Sequence, residues 1–154
     1  MNINDINKVA EVKLIYKTKV KPSDRLQIKQ SIDAYNIFID RWDKDALEYL
    51  EEFKILLLNR SNRVLGITTV SIGGTAGTVT DVRMILQYAL KTNAFGIILC
   101  HNHPSGNLTP SESDTRVTRK IKESAMVMDI QLLDHIIIIP NDTLYYSFGD
   151  EGLM

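Results

Sequence analysis

Apolar and polar positions along the chain switch repeatedly between the period of a strand and the period of a helix. Residues 11–17, EVKLIYK, roughly alternate and predict a strand, which KPSD at 21–24 breaks. Ile28, Ile32, Tyr35, Ile39 and Trp42 then recur at helical spacing, with Ser23 or Asp24 as the cap. EEFKILLLN at 51–59 and VLGITTVS at 64–71 predict a hairpin around the turn RSNR. IGGTAGTVTD at 72–81 predicts a loop; it lacks the Gly-Lys-Ser/Thr ending of a phosphate loop. VRMILQYALKTN at 82–93 has a helical period, capped by Thr80 or Asp81 and stopped by Asn93. FGIILC at 95–100 is a continuous apolar run, as expected of a central strand covered on both faces. Residues 111–129 predict a helix with Val117, Ile121, Ala125 and Met128 on one side; LLDHIIII at 132–139 and TLYYSF at 143–148 predict two last strands.

Strand, helix, hairpin, helix, strand, helix, strand, strand is the order of a three-layer α/β sandwich around a mixed sheet. In such sheets, sites collect at strand ends. A length of 154 residues fits one domain, 1–154, and 44% apolar residues suffice for an unstapled core. The one cysteine, Cys100, excludes an internal disulfide and a Cys-based zinc site. It is expected to pack in the core. The N-terminus has no apolar signal core and no run reaches membrane-spanning length, so a cytoplasmic protein is expected. A net charge of −1 argues against tight binding to nucleic acid. Locally, Lys13, Lys17, Lys19, Lys21, Arg25 and Lys29 form a basic stretch, and Asp40, Asp43, Asp45, Glu48, Glu51 and Glu52 an acidic one. Solvated surface accounts for both; a weak basic docking patch is the sharper alternative.

The chemistry concentrates in HNHPSGNLTPSESD, residues 101–114, directly after the apolar run. Side chains two apart on an extended segment point the same way, so His101 and His103 can address one point past the strand. Two imidazoles need further donors to hold zinc, and Asp114 in the first turn of the next helix is the nearest candidate. Three protein ligands leave a fourth position for water, the layout of a catalytic site. Zinc brings that water to a pKa of about 7. Ser111 is placed to donate to a developing oxyanion. Ser111 and Asp114 also read as a capping box without any metal, and the two uses are compatible.

Taken together, these residues resemble a known family. His101-x-His103, Ser111 and Asp114 match the JAMM (MPN+) metalloprotease motif position for position. With HNHPSGNLTPSESD, LLDHIII and LYYSFGDEGLM, and with EEFKILLLNRSNRVL and GTVTDVRMILQYALKTNAFGIILC upstream, the chain resembles the RadC branch of that superfamily over roughly residues 28–154. The resemblance implies a cytidine deaminase-like (JAB/MPN) sandwich, one Zn2+ per chain, and an upstream Glu that moves protons as general base and acid. Glu51 and Glu52 are the candidates, and the RadC-like Glu-x-Phe pattern points to Glu51. The His-x-Glu with Pro-Cys-x-x-Cys signature of zinc deaminases is absent, which argues against base deamination. RadC proteins usually carry an N-terminal helix-hairpin-helix region, and the residues before the match are too few to hold it.

Of the other polar residues in these segments, His135 reads as a structural histidine, Asp134 as a candidate outer partner of a ligand, and Asn102 as a tie for the loop. Two functions follow. One is a zinc-dependent hydrolase of a peptide or isopeptide amide, with His101, His103 and Asp114 on zinc, Glu51 as base and Ser111 as oxyanion donor. The other is a non-catalytic, metal-binding or DNA-associated module in DNA repair or mobile-element maintenance. Substrate and oligomeric state are left open; a strand edge near 64–70 could pair.

Overall fold

The computed structural model describes residues 10, 13, 15–73, 80–140 and 143–154. A short 3-10 turn, Pro22–Asp24, precedes helix α1 (Ser31–Asp40), strands β1 (Glu52–Leu58) and β2 (Val64–Ile72), and helix α2 (Val82–Lys91). Strand β3 (Gly96–Asn102), helix α3 (Glu112–Val127) and strands β4 (Gln131–Ile138) and β5 (Tyr145–Ser147) follow. The strands form one mixed sheet in the order β2-β1-β3-β4-β5. Only β3 and β4 run parallel, joined through α3; the other neighbours are antiparallel.

Strand alternation builds three layers. On one face, Leu56, Leu58, Ile98, Cys100, Ile136 and Ile138 pack under Ala34, Tyr35 and Phe38 of α1 and under Trp42. On the other, Phe53, Ile55, Leu57, Ile97, Leu99 and Leu132 meet Ile85 and Ala89 of α2 and Ile121 and Ala125 of α3. Both α2 and α3 end in the same motif, with a left-handed residue just past the cap, Asn93 (φ 54°) and Asp129 (φ 55°). The following amides of Ala94 and Ile130 reach back to the carbonyls of Ala89 and Ala125. That turn feeds the chain into β3 and β4 in the same direction.

Several expected elements move. Lys13 and Ile15–Lys17 form no strand, and the rest of EVKLIYK lies outside the described residues, as do residues 74–79 of the Gly/Thr loop. Helix α1 starts later than the spacing from Ile28 implied. Its start is held not by Ser23 or Asp24 but by Asp33, whose carboxylate accepts the amides of Lys29 at 2.9 Å and Gln30 at 3.1 Å. Asp81, not Thr80, caps α2 by accepting the Arg83 amide. On α3, Met128 is exposed, and the buried position the apolar reading passed over is Thr118. Among the described residues, no helix is long and apolar enough to cross a membrane.

Two local features position the ends of the sheet. The β3–β4 register slips between Ile97 and Ile98: Ile97 faces Leu132, and Ile98 faces Asp134. Leu133 is therefore the extra residue of a bulge, and it packs towards the α1 face. A Cβ on Gly96 would come within 2.7 Å of the Leu133 side chain, which explains a glycine at the start of β3. Beyond the bulge the alternation is reversed, so Asp134 lies on the α1 side and His135 on the α3 side. Asp134 accepts hydrogen bonds from Ser147 Oγ at 2.6 Å and from the amides of His135 at 2.7 Å and Gly149 at 2.8 Å. The second feature is Asn102, fully buried at the end of β3. Its Nδ2 donates to the carbonyls of Leu47 and Leu50, both at 2.9 Å, and its Oδ1 accepts the Glu52 amide at 2.7 Å. The expected tie was to the loop that follows β3; its bonds instead tie the segment leading into β1.

Two stability measurements check these features. Asn102→Ala strands two carbonyls and an amide and is expected to lower the unfolding free energy by about 3 kcal/mol in urea titrations; a loss under about 1 kcal/mol would refute the tie. Asp134 titrates above its ordinary value because burial outweighs the hydrogen bonds it accepts. The folded state then holds this proton more tightly than the unfolded state. The stability Asp134 contributes is present below the ordinary carboxylate pKa and lost as pH rises through the raised one. Across that window, the stability of the native chain relative to Asp134→Asn should fall with rising pH; a flat difference would refute the assignment.

Candidate metal centre

Strand β3 does not stop at Cys100. It continues through His101 and Asn102, so His101 is a buried strand residue opposite Phe53 of β1 and Ile137 of β4. Alternation puts His101 on the α3 face and Cys100 in the core beneath α1, as expected for the cysteine. His103 follows where the strand ends, its amide bonded to the Ile138 carbonyl at 2.9 Å. The chain turns through Gly106 (φ 77°) and returns as α3, whose first turn carries Asp114 back to the strand end.

His101, His103 and Asp114 are thereby brought together, with one ligand atom from each within 4.8 Å of the others. The two Nε2 atoms are 2.8 Å apart. Asp114 Oδ1 is 3.3 Å from His101 Nε2, and Oδ2 is 3.4 Å from His103 Nε2. The far side of each ring is engaged. His103 Nδ1 is 2.6 Å from the Asn107 carbonyl, which can only accept, so Nδ1 carries a proton. His101 Nδ1 is 2.8 Å from His135 Nε2. Were both rings neutral with the proton on Nδ1, bare nitrogens would face each other and a carboxylate. Such a set of donors needs a shared proton or a cation between them, and two imidazoles with one carboxylate are good ligands for a transition metal.

The electrostatics agree. Burial would lower the His103 pKa, but hydrogen bonds to Asp114 and the Asn107 carbonyl and the charges of Asp114 and Glu51 outweigh it and raise the pKa. Burial would raise Asp114, yet the bonds from His101, His103 and Ser111 hold its carboxyl far below the ordinary range. His135 is lowered, first by burial and then by the charge of His101.

Ser111 caps α3 and belongs to the same cluster. Its Oγ accepts the Asp114 amide at 3.1 Å and donates to Asp114 Oδ2 at 2.7 Å, and its own amide donates to the same oxygen at 2.6 Å. The capping box and the ligand cluster are thus one structure. Glu51 and Glu52 part company at the start of β1. Glu52 is buried on the α1 side, where Lys54 Nζ lies 2.5 Å from Oε2, 2.8 Å from Thr69 Oγ1 and 4.7 Å from the centre of the Trp42 ring. Glu51 is half-buried and near enough to the site for its charge to act on His103.

One expectation is corrected. The side chain bonded behind His101, a candidate ligand, is His135, not Asp134, which the bulge turns to the other face. Sequence patterning also missed Thr118, whose Oγ1 lies 2.6 Å from His135 Nδ1. Its one signal was helical spacing: it stands a turn after Asp114 on the same face of α3.

Comparison with known proteins accords with this geometry. A UPF0758 protein of Flavobacterium johnsoniae is 50% identical over 67% of this chain and 44% of its own length. One from Clostridium tetani is 38% identical over 87% of this chain and 57% of its own. One from Porphyromonas gingivalis is 43% identical over 68% and 45%. The chain spans about half the length of the curated relatives it matches, and their name states no activity. The family model for the RadC-like JAB domain matches residues 28–153, from three residues before α1 to the C-terminal turn, and so takes in every residue of the candidate metal centre: the chain belongs to the RadC-like JAB domain family.

Proposed function

We propose that this chain is a zinc-dependent hydrolase of amide bonds, a JAMM-type peptidase or isopeptidase. The observation that carries the reading is the convergence of His101 Nε2, His103 Nε2 and Asp114 at the end of β3. Two nitrogen donors and one carboxylate suit zinc better than magnesium or calcium, which favour oxygen throughout. Three protein ligands leave one tetrahedral position open. Zinc held there would polarise a carbonyl and bring water to a pKa of about 7.

The chain's own residues would do the rest. Glu51 is the proton carrier, taking a proton from the attacking water and giving it to the leaving amine. Glu52 is committed to Lys54 on the far face, which favours Glu51 for this role. Ser111 Oγ donates to the developing oxyanion. While it does so, the Ser111 amide keeps the Asp114 carboxylate oriented. The substrate is an amide in a peptide or isopeptide. A reducing, cytoplasmic setting accords with one buried, unpaired cysteine.

Metal analysis of untagged protein should find about one zinc per chain, and none in His101→Ala/His103→Ala. Absence of metal from the native chain after zinc is supplied at neutral pH would reject the hydrolase and leave a binding module. Glu51→Gln should keep its zinc while turnover of a cleaved amide substrate falls at least about a hundredfold. Full activity in that variant would remove Glu51 from the mechanism.

A further inference from the structure

We propose that His135 and Thr118 form a positioning pair that dictates which nitrogen of His101 is free to bind metal. The proposal rests on the metal-site reading above and extends it to residues that touch no metal.

The protons can be traced in one direction. Thr118 Oγ1 lies 2.6 Å from the Asp114 carbonyl, which only accepts, so the hydroxyl proton is committed there. The other neighbour of that hydroxyl is His135 Nδ1 at 2.6 Å, which must therefore supply a proton. His135 has no exposed surface. Its ring is stacked on Phe148 at 4.9 Å and tilted against Phe53 at 5.6 Å, surroundings that disfavour the charged form. A neutral ring with a proton on Nδ1 has a bare Nε2. That atom is 2.8 Å from His101 Nδ1, so His101 donates from Nδ1 and keeps Nε2 bare. The chain of bonds begins at the Asp114 carbonyl, crosses from α3 to β4 and on to β3, and ends facing the Asp114 carboxylate. One helical turn thus holds a ligand and the start of the device that orients a second ligand. The bulge at Leu133 makes this contact, because without it His135 would face α1.

The test uses the full chain, with zinc alone as the probe. Two readouts are taken: zinc affinity by competition with a chelator, and the His101 ring nitrogen spectrum of zinc-free protein at mildly alkaline pH. In the native chain the His101 proton should sit on Nδ1. Thr118→Val keeps the shape but removes the acceptor; His135 then moves its proton to Nε2, and His101 moves its own onto the atom that binds metal. Zinc affinity should fall about tenfold or more, with the spectrum shifting in step, and Thr118→Ser should restore both. His135→Phe should match Thr118→Val, whereas His135→Gln, which offers an oxygen to His101 Nδ1, should stay near native. Native spectra and native affinity in Thr118→Val would overturn the proposal. So would an affinity loss that Thr118→Ser does not repair, which would mark simple packing. If the native chain binds no zinc, the hydrolase reading fails, while the zinc-free spectra still decide the proton order.

Discussion

Strand β3 runs through the middle of the sheet with both faces covered, and the rest of the molecule is arranged around its alternation. Leu99 and His101 look towards α3, Cys100 and Asn102 towards α1. The two polar residues at its end are therefore sent to opposite layers, and each organises one. Asn102 closes the α1 side by tying the segment from Leu47 to Glu52. That segment delivers Glu51. His101 closes the α3 side as the buried member of the ligand set. A buried polar group this deep is tolerable only with its partners in place, so both faces of this end of the strand are tightly specified.

The cluster of His101, His103 and Asp114 is costly unless a proton or a cation is shared within it. Two imidazole nitrogens and a carboxylate at about hydrogen-bond distance repel unless a proton or cation sits among them, and the surrounding bonds keep the rings from turning away. Asn107 holds His103 from outside, His135 holds His101, and the Ser111 cap holds Asp114. Rigid orientation of ligands from outside the site is what raises metal affinity over that of loose side chains. In this fold the orientation is supplied by elements that also make the core. The Ser111 cap starts α3, Phe53 stacks on His101, and Phe148 stacks on His135.

Much of this was legible in the chain. The continuous apolar run of β3 announced a central strand, and the His-x-His spacing put two rings on one side of it. Ser111 and Asp114 announced a helix start close behind. The layered order of strands and helices followed from periodicity, apart from EVKLIYK, whose alternation did not lead to pairing among its described residues. Met128 and Thr118 show the limit of apolar spacing. A threonine can be buried when its hydroxyl is bonded at both sides, and a methionine one residue past the last turn faces solvent.

The sequence by itself determined the local constellation, because ligand spacing, capping and strand alternation act over a few residues. Tertiary structure alone decided the rest. Glu51 and Glu52 are neighbours in the chain, and they were separated only when the pleat of β1 met Lys54 on one side and the site on the other. His135 reads as one polar ring in an apolar strand, and Asp134 beside it looked the better partner. A one-residue bulge reverses which of them faces the ligands. That bulge depends on the fit of Leu133 over Gly96, a contact between two strands that are far apart in sequence. The register of non-local strands is a packing outcome, and no spacing within either strand encodes it.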